Sequence, residues 1–133
     1  IRVSGTPLAI AGVTDTAALN WGLEGPDPEK ALSGLSKDIA KIMLSHRPSL
    51  APESAKAGAS LQLSGHTHGG LVLPIAPLIA AFNGGYVSGP YTVDGMPLYV
   101  SRGSGLWGGM PLRLFVPSEI TFITLTGTGF DAN

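Results

Sequence analysis

The sequence predicts an α/β domain, a sheet packed with helices on one side. Short apolar strands alternate with helix signals over the first half, and the second half reads as β-rich. Charged residues make up only 13% of the 133 positions against 44% hydrophobic ones. That balance excludes a disordered chain and suffices for one small domain with a buried core. Nineteen glycines and eleven prolines imply many loops. No internal repeat is present.

The elements follow in order. Residues 1–13 read as two short strands, with Gly5, Thr6 and Pro7 as the turn and Leu8, Ala9, Ile10 and Ala11 as an apolar run. Asp27, Pro28 and Glu29 start a helix, with Asp at the cap, Pro at the first helical position and Glu in the first turn. Ala31, Leu32 and Leu35 then share one helical face. Residues 41–45 (KIMLS) form a short buried strand, 52–57 a short helix and 60–64 (SLQLS) another strand. Asp94-Gly95 between the β-prone runs 91–93 and 96–101 predicts a hairpin. Residues 120–126 (ITFITLT) are β-branched and aromatic and make a last strand. One domain is expected over 1–126, with 127–133 as a tail.

Composition removes several function classes. The net charge of −1 offers no basic surface for nucleic acid or anionic lipid. With no cysteine, disulfides, thiolate metal sites and a cysteine nucleophile are excluded, so any metal needs nitrogen and oxygen ligands. The longest apolar stretch, 71–82, contains Pro74 and Pro77 and falls short of the ~20 residues of a membrane span. It reads as an apolar loop that packs, or that lines an entrance for a lipid-like substrate. No leader is visible at Ile1. The chain opens inside a strand, so it is expected to be a piece of something longer.

The three histidines all follow predicted strands. His46 follows KIMLS, and His66 and His68 lie in Gly65-His66-Thr67-His68-Gly69-Gly70 directly after SLQLS. Neutral imidazole is a common metal ligand. Flanking glycines let the backbone turn sharply and approach a metal or phosphate closely. The interval from His46 to His66 leaves room for a helix and a return to a parallel neighbouring strand. All three rings would then meet at the carboxyl edge of the sheet, where α/β proteins bind ligands. Spacing alone leaves two readings open, a metal site or surface and capping histidines.

The string LSGHTHGG at 63–70, with IMLSH at 42–46, resembles the calcineurin-like metallophosphoesterase superfamily, in its bacterial branch with a GHTHGGQ signature. Ala11-Gly12-Val13-Thr14-Asp15 resembles that branch's aGvdD strand end. Gly103-Ser104-Gly105, Pro111-Leu112-Arg113 and Pro117-Ser118-Glu119-Ile120 resemble its later elements. The resemblance implies the C-terminal half of a four-layer αββα sandwich hydrolysing phosphomonoesters or phosphodiesters. It also implies two divalent ions (manganese, zinc or iron), His46 and His66 binding the second and His68 the first. Leu71 stands where the family has Gln. The D-x-H, G-D-x-x-D and G-N-H-D/E motifs are absent, and in the family they lie upstream of the segment matched here. The chain alone is therefore expected to be inactive, to need the missing N-terminal half, and to associate with a second copy through its uncovered sheet edge. The compartment stays open between bacterial cytoplasm and cell envelope. Competing readings are a lone three-His zinc module completed by water and a non-catalytic fragment.

Weaker expectations attach to other residues. Arg102, with Gly69 and Gly70, could meet a substrate phosphate, because arginine suits bidentate contact with oxyanions. Asp15 is expected to orient neighbours rather than bind metal. Arg113 is expected to pair with Glu119 or cover the hairpin. Trp21 and Trp107 are expected in part of the core.

Overall fold

The computed structural model describes residues 1–3, 6–108, 111–126 and 129–132. β1 (Arg2–Val3) and β2 (Thr6–Gly12) run antiparallel, Val3 opposite Thr6 and Arg2 opposite Pro7. Thr6 and Pro7 thus belong to the ladder instead of the turn, and Gly5 lies outside the described residues. A 3-10 turn at Thr16–Trp21 precedes α1 (Pro28–Leu32), β3 (Ala40–Leu44), α2 (Ala51–Lys56) and β4 (Leu61–Ser64). α3 (Ala76–Ala81) leads to the hairpin of β5 (Gly89–Val93) and β6 (Met96–Val100).

These six strands form one sheet in the order β1-β2-β3-β4-β6-β5. β2, β3, β4 and β6 are parallel neighbours, and β1 and β5 are antiparallel edges. The parallel steps carry α1 and α2 as crossover helices, as parallel pairing requires. β7 (Ile123–Thr126) and β8 (Gly129–Ala132) make a separate antiparallel pair. A strand therefore occupies 129–132, where a tail was expected; 127, 128 and 133 lie outside the described residues.

Local chemistry accounts for the boundaries. The Asp27 carboxylate accepts from the Lys30 backbone N–H at 2.9 Å and caps α1. Asp94 (φ 49) and Gly95 (φ 82) both take the left-handed conformation that a two-residue hairpin turn demands. The stretch expected as an apolar loop contains α3, because Pro77 falls in its first turn, where no N–H is needed.

The helix-side face of the sheet buries Met43, Leu98 and Val100 with Leu32, Ala51, Val93 and Met96. The opposite face buries Leu8, Ile42 and Leu61. By strand alternation Ile10 and Leu44 share that second face, yet they stay 54% and 45% exposed. The predicted helices on one side are present, and the other side is half covered. Trp21 and Trp107 are not core residues, at 82% and 47% exposure. Trp21 ends a 3-10 turn that buries none of its residues. Among the described residues, no helix is long and apolar enough to cross a membrane.

Candidate metal centre

β3 and β4 end side by side, Leu44 opposite Leu63. Their exit loops stay paired one step further: Ser45 N–H donates to Leu63 O at 3.1 Å and Gly65 N–H donates to His46 O at 3.1 Å. This continuation brings two histidines together. His46 Nε2 and His66 Nδ1 lie 3.1 Å apart, with the rings edge to face at a 4.9 Å centroid distance. A hollow of ≈ 470 Å³ lined by Gly12, Val13, His46, Ser64 and Gly65 opens at the same edge. A larger one, ≈ 700 Å³, sits around α1 and the end of α2 and has no histidine in its lining.

His68 stands apart from that pair. Among the described residues, no three His, Asp or Glu side chains gather as one metal site. His68 Nδ1 lies 3.3 Å from Arg113 Nη2.

The loop carrying His66 and His68 is strained. His66 (φ 70), His68 (φ 49) and Leu71 (φ 62) are left-handed non-glycine residues, each costing on the order of 1–3 kcal/mol. Local bonds hold them there. Thr67 Oγ1 donates to Val87 O, Thr67 N–H to Gly65 O at 2.8 Å and Gly70 N–H to Thr67 O at 2.8 Å. Gly69 and Gly70 are required sterically. A Cβ at Gly69 would come within 2.6 Å of Arg102 Cγ and Val116 Cγ1, and one at Gly70 within 2.7 Å of Ala76 Cβ.

Burial and nearby charge both favour the neutral form of His66. Burial pushes its pKa down first, and the nearby Arg47 cation and His46 push it further. Arg47 is held by Asp15, its Nε donating to both carboxylate oxygens at 3.0 and 3.2 Å. Asp15 also accepts from Ala17 N–H at 2.7 Å. Burial raises the Asp15 pKa, but these bonds outweigh it and the carboxylate sits below its usual value. Asp15 is thus engaged with Arg47 and the 3-10 turn.

Glu119 takes a different arginine from the one expected. Arg102, not Arg113, pairs with Glu119, Nε to Oε2 at 2.6 Å, and Tyr99 and Thr121 hydroxyls also donate to that carboxylate. Arg102 lies two residues past the end of β6, and its stem lies over Gly69 with its head on Glu119. Arg113 instead binds backbone carbonyls at Arg102, Gly103 and Gly105. Arg47 was not singled out in the sequence, although its place next to His46 was a usable signal. The contact of Arg113 with His68 spans 45 positions and left no local signal.

The chain is 41% identical over 119 residues to the uncharacterized metallophosphoesterase Cj0846 of Campylobacter jejuni, covering 89% of this chain and 31% of that protein. It is 39% identical to the uncharacterized metallophosphoesterase YkuE of Bacillus subtilis, covering 93% of this chain and 42% of that one. It is 35% identical to the putative metallophosphoesterase F40B5.2 of Caenorhabditis elegans, over 95% of this chain and 28% of that protein. The chain therefore spans about a third of the length of these relatives, which are not confined to bacteria. No family model matches the chain, and no solved structure does.

Proposed function

We propose, from the premise that this chain belongs to the metallophosphoesterase family, that it furnishes the histidine part of a metal-dependent phosphoester hydrolase. In this reading His46 and His66 hold one divalent cation and His68 contributes to a neighbouring one. The observation that carries it is the 3.1 Å separation of His46 Nε2 and His66 Nδ1. Two nitrogens ~2.0–2.1 Å from one tetrahedral ion lie about 3.3 Å apart, so the pair suits a shared cation. The lowered pKa of His66 supports the same reading, because only unprotonated imidazole ligates. A single three-His site is disfavoured, since no third ligand joins the pair among the described residues.

When bound, two divalent ions polarise a phosphoryl oxygen and supply hydroxide near neutral pH. This chain's own residues hold the ligands. The paired exit loops fix His46 against His66, and Asp15 restrains Arg47 beside them. Asp15 is already engaged with Arg47 and Ala17. The carboxylate ligands that balance two cations therefore come from outside these 133 residues, and the chain alone is inactive. The half-exposed Ile10 and Leu44 face suits the rest of the fold or, without it, a second copy.

The test is hydrolysis of an aryl phosphodiester with added manganese. It compares the chain alone with a chimera in which it replaces the matched region of the Campylobacter jejuni relative. The chain alone is expected to be inactive, and the chimera active and silenced by His66→Ala. Turnover by the chain alone, or a chimera indifferent to His46→Ala and His66→Ala, overturns the proposal.

A further inference from the structure

Arg113 sits on an exposed stretch far from the histidines in sequence, yet its guanidinium is the centre of a cage of acceptors. Nη2 lies 2.6 Å from Gly105 O, 2.7 Å from Arg102 O, 3.1 Å from Gly103 O and 3.3 Å from His68 Nδ1. Nη1 donates to His68 O at 3.4 Å and Nε to Gly105 O at 3.2 Å. We infer that Arg113 is a positioning residue, which locks the loop after β6 against His68 and so holds that ring in place for a cation. The inference rests on the metal-site reading above.

Three physical points carry it. First, a guanidinium only donates, and its planar fork can serve several carbonyls at once, which a lysine ammonium cannot do in the same geometry. Second, Nη2 has two hydrogens, and the two shortest contacts, to Gly105 O and Arg102 O, take them. The contact to His68 Nδ1 is therefore a shared, weaker one. A cation would therefore reach the ring through Nε2 or displace this contact, while the carbonyl contacts keep Arg113 where it is. Third, His68 has a φ of 49, a conformation that a non-glycine residue keeps only when its surroundings impose it. Its carbonyl is tied to Arg113, and the turn around it is closed by Leu71 N–H donating to the same oxygen at 3.3 Å. Removing Arg113 leaves a single backbone bond to hold that carbonyl, and frees the 102–105 loop on the other side.

The experiment is NMR on the isotopically labelled full chain, metal-free and titrated with manganese(II) chloride, for wild type, Arg113→Ala and Arg113→Lys. In the metal-free chain, backbone shifts of wild type should place His68 in the left-handed region, and Arg113→Ala should move it out. With manganese, the ring signals of all three histidines should broaden in wild type. In Arg113→Ala, His68 should need about 10-fold to 100-fold more metal, with His46 and His66 unchanged. Arg113→Lys should recover only part of either effect, and it keeps the test valid where the alanine variant is poorly folded. If His68 keeps its backbone conformation and its metal response in both variants, Arg113 is not a positioning residue. If wild-type histidines do not respond to manganese, the metal-site reading fails, and the metal-free backbone shifts still decide whether Arg113 positions His68.

Discussion

Gly69→Ala tests how tightly the histidine loop is packed against the later part of the chain. Gly69 has a φ of 67, and a Cβ there would approach Arg102 Cγ and Val116 Cγ1 at 2.6 Å and Arg102 Cδ at 2.8 Å. Left-handed backbone costs an alanine about 1–2 kcal/mol. The overlap adds about 1–3 kcal/mol, because Val116 is buried and the head of Arg102 is tied to Glu119. Gly103 has nearly the same φ, 70, with open space around its missing Cβ. Gly103→Ala therefore carries the backbone cost without the overlap. Both substitutions reduce unfolded-state freedom equally, so that contribution cancels. Urea unfolding of the two variants should show Gly69→Ala less stable than Gly103→Ala by about 1–3 kcal/mol, with matching slopes. A difference under about 0.5 kcal/mol would mean that the loop is not packed as described.

Glu119 has a lowered pKa: burial acts to raise it, but bonds from Thr121, Tyr99 and Arg102 outweigh that. Its stabilising contribution is therefore full above the ordinary glutamate value of ~4.3 and is lost as pH falls through the folded value. Glu119→Gln should flatten the fall in stability below about pH 4.3 in chemical unfolding curves; an unchanged pH profile would contradict this. Asp27→Ala removes the cap of α1 and should cost about 1 kcal/mol by urea unfolding, with no effect on metal binding. Leu44, on the half-covered sheet face, should promote self-association of the isolated chain. Light scattering should show Leu44→Ser less associated than wild type, and a wild type monomeric at high concentration would refute it.

Much of the sheet was legible because its strands carry strong local signals. KIMLS and SLQLS are near-continuous apolar runs, as parallel strands require, and they became β3 and β4 within a residue of the expected bounds. The Asp94-Gly95 turn and the Asp27-Pro28 helix start are set by backbone chemistry within a few positions. What was missed depends on long-range geometry. α3 was hidden inside a stretch read as an apolar loop, although Pro77 sits where a helix tolerates it. Glu119 pairs with Arg102 instead of Arg113 because the choice depends on where the loop after β6 crosses Gly69, which no local pattern encodes. The histidine pairing depends on a sheet register extended by the Gly65–His46 backbone bond. Strand ends alone placed all three rings at one edge without separating His68 from the other two.

Calorimetric titration of the full chain with zinc decides whether His46 and His66 form a cation site at the carboxyl edge of β3 and β4. Wild type should bind zinc, His46→Ala and His66→Ala should each weaken binding by at least about 10-fold, and Lys56→Ala should leave it unchanged. Zinc binding that survives both histidine substitutions, or no binding by wild type, would contradict it.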